Sequence, residues 1–171
     1  MIHGMVLPWI CIMEKIAGGA EMETIRPAEE RDLCRIAEIE VFNYRLQFYP
    51  IFRDDAFYFR EMQTTSLMER NRDALCSIFV YDDGAVKGFI WVEDGEIQKL
   101  FVEPVLQNRG IGGQLLEYAV QEQRADRLWA LEKNTRAIHF YECHGFHLTG
   151  EKKPEEDTTE NLVRMKRSIT T

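Results

Sequence analysis

The residues with the clearest chemical meaning are seven consecutive ones, Gln107-Asn108-Arg109-Gly110-Ile111-Gly112-Gly113. An apolar segment, Glu96 to Val102, precedes them, and a segment with helical periodicity, Gln114 to Arg124, follows them. This order predicts a strand, a tight turn and a helix. The first turn of a helix presents unpaired backbone N–H groups at the positive end of the helix dipole. The stretch is therefore a candidate site for a phosphate or a pyrophosphate.

Two familiar phosphate-binding motifs do not fit this stretch. The dinucleotide fingerprint requires a third glycine three positions after the second, where this chain has Leu115. The Walker motif requires Gly-Lys-Ser/Thr, which is absent from the sequence. An ordinary turn between a strand and a helix remains the alternative interpretation.

A second segment, Asn134 to Phe146, has the pattern Asn-x-x-Ala-x-x-Phe-Tyr-x-x-x-Gly-Phe, and the first segment contains Gln-x-x-Gly-x-Gly. These patterns, in this order, resemble the two hallmark motifs of the Gcn5-related N-acetyltransferases (GNAT). The resemblance covers Met22 to the C-terminus. It implies a mixed α/β fold, with a twisted and mainly antiparallel sheet of about seven strands and helices on both faces.

The resemblance also implies acetyl-coenzyme A as the cosubstrate and no metal. In such a fold the strand Glu96 to Val102 bulges where it meets coenzyme A and separates from the strand Leu128 to Glu132. Gly110 and Gly112 are expected to be required because a Cβ atom would obstruct the approach of the backbone to the ligand. Arg109 is expected to assist from the surface. The implied cofactor-binding residues are Phe101, Val102, Gln107, Asn108, Arg109, Gly110, Ile111, Gly112, Gly113, Asn134, Ala137 and Tyr141.

Acyl transfer from a thioester requires an acid for the departing thiolate and a route for the proton of the acceptor amine. Tyr141 is the candidate acid, because Phe140 and Tyr141 point to adjacent faces of a short helix and one of them can reach the groove. A partly buried structural tyrosine is the alternative. Glu96 is the candidate base, acting through water, and a solvated hairpin glutamate is the alternative. No cysteine lies at a motif position, so no covalent intermediate is expected.

The predicted function is transfer of an acetyl group from acetyl-coenzyme A to a primary amine of a small molecule or peptide, in one ternary complex. The alternatives are a non-catalytic acyl-coenzyme A sensing module and an interaction protein built on the same fold. The acceptor is left open among polyamines, aminoglycosides, amino acids, peptide N-termini and lysine. It is expected to bind between the variable segment Phe42 to Asp73 and the polar loop Lys152 to Thr159. The rings within Phe42 to Phe59 either fill the core or line that pocket.

The elements needed to position these motifs follow from periodicity and turn residues. A helix is predicted from Glu29 to Phe48, ended by Pro50, and a second from Arg136 to His144, with Asn134 or Thr135 at its start and Gly145 at its end. The predicted strands are Met22 to Pro27, Leu75 to Tyr81, Ala85 to Val92, Glu96 to Val102, Leu128 to Glu132, Phe146 to Glu151 and Glu160 to Lys166.

Composition narrows the class of protein. The 171 residues carry a formal charge of -8, which gives no electrostatic support for binding nucleic acid. The sequence contains no apolar run long enough to cross a bilayer, so no membrane partner is predicted. The scattered cysteines indicate reduced thiols and a cytoplasmic protein. His139, His144 and His147 lie near Cys143 but lack the spacing of a metal motif. A homodimer through the C-terminal strands is left open.

The chain is long enough for one domain, predicted to span residues 22–171. Residues 1–21 are expected to be a non-core extension, because the segment is apolar from Met5 to Met13 but lacks the positive start of a secretory signal.

Overall fold

Seven strands form a single sheet in the structure, a computed structural model that describes residues 24–168. The strand order is β1-β2-β3-β4-β5-β7-β6, and β4 with β5 is the parallel pair among antiparallel neighbours. This arrangement confirms the predicted mixed α/β fold. The predicted extension, residues 1–21, and the first two residues of the first predicted strand lie outside the described residues. The strands are β1 (Ile25–Pro27), β2 (Ile78–Asp82), β3 (Val86–Glu93), β4 (Glu96–Val102), β5 (Arg127–Leu131), β6 (Phe146–Pro154) and β7 (Asn161–Arg167).

Helices cover both faces of the sheet. They are α1 (Leu33–Asn43), α2 (Tyr49–Phe52), α3 (Thr64–Asp73), α4 (Ile111–Glu122) and α5 (Thr135–Cys143). Side chains alternate between the faces along each strand, as the period of a strand requires. On β3, Phe89 packs in the cluster that contains Ile36 of α1, whereas Ile90 packs in the cluster that contains Leu115 of α4. No helix within residues 24–168 is long and apolar enough to span a membrane.

The region after α1 differs from the prediction of one helix ended by Pro50. The backbone widens into a π-helical turn over Tyr44–Phe48, and Pro50 then opens the short helix α2. Proline is accepted there because an N–H in the first turn of a helix needs no intrahelical acceptor. Arg53, in a left-handed conformation with φ of 54°, ends the segment instead.

The centre of the sheet is split between β4 and β5. The two strands pair only at Glu96 with Arg127 and at Ile97 with Leu128. The register between β3 and β4 shifts at Trp91, which leaves Gln98 as a bulge. Beyond the bulge β4 diverges from β5, as the resemblance implied. This divergence opens the sheet to a ligand.

Strand boundaries elsewhere lie within a few residues of the predictions. Leu75–Ser77 forms a 3₁₀ turn, so β2 begins at Ile78 and not at Leu75. The final hairpin is longer than predicted, because β6 continues to Pro154. The sequence predicted that this strand ends at Glu151, because Lys152 and Lys153 are polar. Both residues belong to the strand, and their side chains are exposed.

Two carboxylates fix the first strand to the sheet through one guanidinium group. Arg26 donates from Nη1 to Asp32 Oδ2 over 2.7 Å and from Nη2 to Asp82 Oδ2 over 2.7 Å. The Arg26 hydrogen bond, first among the causes, lowers the pKa of Asp82. Burial acts to raise the pKa of Asp32, but hydrogen bonds from Arg26 and from the Glu29 N–H outweigh it and lower that pKa. Both carboxylates are thus stabilised in the charged form.

Candidate active site

The glycine-containing turn opens α4 with several free backbone donors. Gly110 precedes the helix with φ of 85°, a left-handed conformation that suits glycine. The N–H of Gln114 donates to the Gly110 carbonyl over 3.0 Å. The helical N–H groups before Gln114 therefore lack an acceptor within the helix, and they lie at the positive end of its dipole. This is the geometry of an anion site.

A cavity of about 420 Å³ lies at this end of α4 and is called the loop groove below. Eight of the sequence-predicted cofactor residues line it. They are Val102, Gln107, Asn108, Gly110, Gly112, Gly113, Ala137 and Tyr141. Arg109 is exposed and lies outside its lining, and Ile111 is buried in the core below it.

The glycines of the turn serve different purposes. A Cβ atom on Gly110 would approach nothing nearer than Gln114 Nε2 at 3.9 Å, so the requirement at this position comes from the positive φ and not from crowding. A Cβ atom on Gly112 would lie 3.6 Å from the Phe140 ring, an ordinary contact. On Gly113 it would lie 3.0 Å from His144 Nε2, which makes Gly113 the crowded position. A Cβ atom at Gly110 or Gly112 would therefore meet no close protein atom, and the obstruction expected from it is to a ligand in the loop groove.

Gln107 is held in place by residues that sequence analysis missed. Its Nε2 donates to Asn43 Oδ1 over 2.9 Å and to the Val102 carbonyl over 3.2 Å. Asn43 is fully buried at the end of α1 and donates to the same Val102 carbonyl over 3.0 Å. Arg136 donates from Nη2 to Gln107 Oε1 over 2.9 Å and brings a cationic group to the loop groove. No short-range pattern links these residues, so the sequence carried no signal for them.

A larger cavity of about 940 Å³ opens on the other side of the split sheet and is called the sheet groove. One wall is formed by the aromatic segment from Tyr44 to Tyr58, and the opposite wall by the β6–β7 loop with Lys153 to Glu160. Phe101 lies on this side, 5.5 Å from the Tyr44 ring and 5.9 Å from the Phe89 ring. The two segments predicted to surround an acceptor thus line one cavity. Asn134 also lines it and caps α5 by accepting from the Ala137 N–H over 3.2 Å.

Tyr141 lies where the two grooves meet. It lines both cavities, together with Ala137 of the same helix. The residue is only 9% exposed, and among the described residues its hydroxyl has no hydrogen-bond partner. Burial raises the pKa of this hydroxyl, so the group stays protonated at neutral pH. Its position and its protonation suit a proton donor.

Glu96 lies on the sheet groove, at the start of β4. Its Oε2 is 3.6 Å from Arg127 Nε and 3.7 Å from Arg164 Nη2. These two ion pairs engage the carboxylate and leave it less free to act on an acceptor amine.

A fully buried carboxylate lies beneath the sheet groove. Glu40 accepts from Lys99 Nζ over 2.5 Å, from Arg70 Nη2 over 3.0 Å and from Asn71 Nδ2 over 2.9 Å. Burial, the largest cause, lowers the pKa of Lys99 despite this carboxylate. The charge on Glu40 is thus compensated by residues of β4 and α3, and Lys99 and Arg70 also line the groove.

The histidine and cysteine residues near α5 do not form a metal centre. Cys143 Sγ lies 3.6 Å from His139 Nε2, and both residues line the loop groove. Among residues 24–168, no group of three or more histidine, cysteine, aspartate or glutamate side chains is arranged to hold a metal ion.

Comparison with known sequences identifies relatives of this chain. A profile of the acetyltransferase (GNAT) domain matches residues 74–148. An uncharacterized N-acetyltransferase of Archaeoglobus fulgidus is 32% identical over 136 residues, which cover 68% of this chain and 88% of that protein. The peptidyl-lysine N-acetyltransferase YiaC of Escherichia coli K12 is 37% identical over 68 residues, which cover 39% of this chain and 47% of YiaC. The peptidyl-lysine N-acetyltransferase YjaB of Salmonella typhimurium is 29% identical over 79 residues, 54% of its length. The chain thus spans about half the length of these last two relatives.

Solved structures share the fold at low sequence identity. An N-acetyltransferase of Staphylococcus aureus Mu50 superimposes with a TM-score of 0.66 at 16% identity, covering 82% of this chain and 98% of that chain. The PaiA N-acetyltransferase of Thermoplasma acidophilum, solved in complex with coenzyme A, has a TM-score of 0.60 at 19% identity, covering 84% and 98%. The split sheet and the glycine turn define an acyl-coenzyme A N-acyltransferase fold. The chain belongs to the Gcn5-related N-acetyltransferase (GNAT) family.

Proposed function

We propose that this protein transfers an acetyl group from acetyl-coenzyme A to a primary amine, with both substrates bound at once. The position of Tyr141 carries the proposal, because this residue lines both the loop groove and the sheet groove and its hydroxyl has no hydrogen-bond partner within residues 24–168. A donor in one groove and an acceptor in the other would meet at this residue. Family membership and the names of the relatives support the same activity.

The loop groove is proposed to hold the donor. Its free backbone N–H groups and the guanidinium of Arg136 suit the pyrophosphate of coenzyme A, and Gly112 leaves the space that a side chain would fill. Acetyl-coenzyme A would supply the acetyl group as a thioester. The split beside β4 leads from this groove towards the acceptor side.

In the proposed chemistry, the Tyr141 hydroxyl supplies the proton for the leaving group. The amine nitrogen forms a bond to the thioester carbonyl carbon, and the carbon–sulfur bond breaks. The Tyr141 hydroxyl gives its proton to the departing sulfur and regains one from the acceptor nitrogen through water. A buried hydroxyl with a raised pKa suits this role, because it is protonated before the reaction and becomes a strong base once it has lost its proton.

Glu96 is kept as the proposed base, acting through water on the acceptor ammonium. Its place on the wall of the sheet groove supports this role. Its ion pairs with Arg127 and Arg164 oppose it, and the open groove also gives the ammonium a path to bulk water.

The activity is tested by following free thiol release from acetyl-coenzyme A with a panel of amines. The panel contains polyamines, aminoglycosides, amino acids and peptides with a free N-terminus or a lysine, since two relatives are named peptidyl-lysine N-acetyltransferases. Thiol release that depends on the amine is expected. Thermal stabilisation by coenzyme A with no thiol release from any amine would instead support a sensing module. The absence of both would contradict a coenzyme A site.

A further inference from the structure

Two carboxylates from distant parts of the chain line the sheet groove near the same side chain, Tyr58. Asp54 lies after α2 on the aromatic wall, and Glu155 lies on the β6–β7 loop of the opposite wall. Both carboxylates act on the same hydroxyl group. Burial, the largest cause, and the negative charges of Asp54 and Glu155 together raise the pKa of Tyr58 to about 12. Residues about a hundred positions apart thus converge on Tyr58.

Neither carboxylate is paired with a cationic side chain among the described residues. Asp54 uses Oδ1 to accept the Phe57 N–H over 3.0 Å, and it forms no ion pair among the described residues. The side chain of Glu155 has no hydrogen bond or ion pair within residues 24–168. The nearby Arg45 is turned away, because its Nε donates to the Tyr58 carbonyl and its Cζ lies 5.2 Å from the centre of the Phe59 ring.

Tyr58 supplies an independent indication of a ligand. The residue is only 3% exposed, yet it lines the sheet groove and its hydroxyl has no hydrogen-bond partner in the described part of the chain. The hydroxyl oxygen is not among the fully enclosed polar atoms, so this otherwise buried side chain presents an unpaired donor and acceptor to the groove, where a ligand can bond to it. The adjoining wall is aromatic, with Phe52 and Phe57, and aromatic faces attract cations.

Some of the other charges that line this groove are paired within the described residues. Lys99 and Arg70 are paired with the buried Glu40. Lys153 Nζ lies 4.5 Å above the Trp129 ring. Glu96 is paired with two arginines. Among the described residues Lys153 forms no ion pair, and Glu156 and Asp157 also line the groove without one. The lining side chains without an ion pair are therefore mainly acidic, with Asp54, Glu155, Glu156 and Asp157 against Lys153.

We propose that the acceptor carries a second positive charge, separate from the amine that is acetylated, and that this charge binds between Asp54 and Glu155 beside Tyr58. The inference rests on the proposed function and names the class of acceptor: an extended aliphatic amine with at least two cationic groups. A linear polyamine and a lysine beside a basic residue in a peptide both provide this chemistry. The second charge would fix the acceptor so that its reacting amine points along the groove towards Tyr141.

The proposal is tested with acceptors that differ only in the second charge. Thiol release is measured with 1,5-diaminopentane and with pentylamine, and in a parallel arm with a lysine peptide whose neighbours are arginine or alanine. Binding of the same compounds is measured by calorimetry in the presence of saturating coenzyme A, where no transfer occurs. The diamine, or the arginine-flanked peptide, is expected to bind roughly five- to tenfold more tightly than its singly charged counterpart.

Substitutions locate the second charge. Asp54→Asn preserves the acceptor for the Phe57 N–H, and Glu155→Gln preserves size. Combined, they are expected to reduce the preference for the doubly charged compound to nearly one. Glu122→Gln, on the exposed surface of α4, is the matched control and should keep the preference. Melting temperatures of the three proteins verify that each is folded.

The outcomes separate this inference from the proposed function. Selective binding of the doubly charged compounds without thiol release would contradict acetyl transfer but support the second-charge site. Thiol release with equal binding of singly and doubly charged compounds would overturn the site and leave acetyl transfer standing. A preference that survives the double substitution would also overturn the assignment to Asp54 and Glu155.

Discussion

Gln107 donates from Nε2 to Asn43 Oδ1 over 2.9 Å and so joins the end of α1 to the turn before α4. The two residues are 64 positions apart in the chain, and the helices α1 and α4 that they join pack in different core clusters. Both also donate to the Val102 carbonyl at the end of β4. The position of the turn is thus set by a buried amide and not by the turn itself.

Replacing Asn43 should affect both stability and donor binding. Asn43→Ala is expected to lower the free energy of unfolding by roughly 1–3 kcal/mol, because buried polar partners lose their hydrogen bonds. It should also reduce stabilisation by coenzyme A, because Gln107 loses an acceptor. Chemical denaturation with and without coenzyme A measures both effects. Gln121→Ala, on the exposed surface of α4 and outside both grooves, is the control. Equal losses of coenzyme A binding in both variants would contradict this role.

Tyr141→Phe should impair the chemical step and leave donor binding intact. Loss of the acid is expected to lower kcat by about 100-fold or more, because general acid catalysis contributes on this scale. The KM for acetyl-coenzyme A should change little, since the ring that lines both grooves is retained. Steady-state thiol release measures both constants. Tyr81→Phe, on β2 away from both grooves, provides the comparison. Unchanged turnover with a good acceptor would show that Tyr141 is not the acid.

Glu96→Gln decides whether this carboxylate is a base. A base acting through water predicts that kcat falls and that the rise of kcat with pH is lost. A purely structural ion pair predicts normal turnover and a loss of stability below about 1 kcal/mol, because the pair is partly exposed. The pH dependence of kcat separates the two, and Glu93→Gln, on an exposed position of β3, serves as the control. The proposed base role predicts the first result.

The two glycines before and within α4 should respond differently to alanine. Gly110→Ala places a side chain at φ of 85° and is expected to cost roughly 1–2 kcal/mol of stability. Gly112→Ala should preserve or raise stability by up to about 1 kcal/mol, because alanine favours the helix. It should nevertheless weaken coenzyme A binding by occupying the loop groove. Unfolding experiments with and without coenzyme A provide the test, and unaltered ligand binding in Gly112→Ala would contradict the assigned site.

Arg26 should determine how strongly the free energy of unfolding falls with pH in acid. The pKa values of Asp32 and Asp82 are lowered, so both carboxylates stabilise the fold above their ordinary pKa, and this contribution disappears as the pH falls below about 4. Arg26→Gln is expected to lower the free energy of unfolding at pH 7 by roughly 1.5–3 kcal/mol, since hydrogen bonds between charged groups are lost. The variant should then lose less stability than the wild type between about pH 4 and 2.

Urea denaturation across this pH range measures the effect of Arg26. Arg72→Gln is the control, because Arg72 is exposed and pairs with Glu30 and not with Asp32 or Asp82. Parallel pH profiles for wild type and Arg26→Gln would show that the two carboxylates do not depend on Arg26.

Much of the fold was predictable because local signals and tertiary structure agree. The strand Glu96–Val102 was predicted with the bounds that it has in the structure, since turn residues flank its apolar pattern. Gly145 was predicted at the end of α5 and Asn134 or Thr135 at its start, because a positive φ and side-chain capping each favour particular residues; the structure has Asn134 as the cap. The error at Pro50 arose because proline is allowed both after a helix and in its first turn.

The candidate site was predictable only where its residues are consecutive. The turn from Gln107 to Gly113 and the segment from Asn134 to Phe146 are short patterns. Asn43 and Arg136 contact Gln107 through tertiary structure alone, and Glu40 meets Lys99 from a different element. Contacts of this kind cannot be predicted from one sequence, because they follow no periodic pattern. Each residue alone resembles an ordinary polar residue of a helix or strand.

The split between β4 and β5 has a mechanical consequence. Ordinary neighbouring strands keep a fixed spacing, because moving them apart breaks their ladder of hydrogen bonds. Beyond Ile97 and Leu128 the described strands share no ladder, so their separation is set by side-chain packing and by what lies between them. The width of the opening therefore depends on how the β3–β4 and β5–β7 pairs lie relative to each other, since each pair keeps its own ladder. Under the proposed function, the acceptor would pass between two hydrogen-bonded pairs of strands and break no ladder between them.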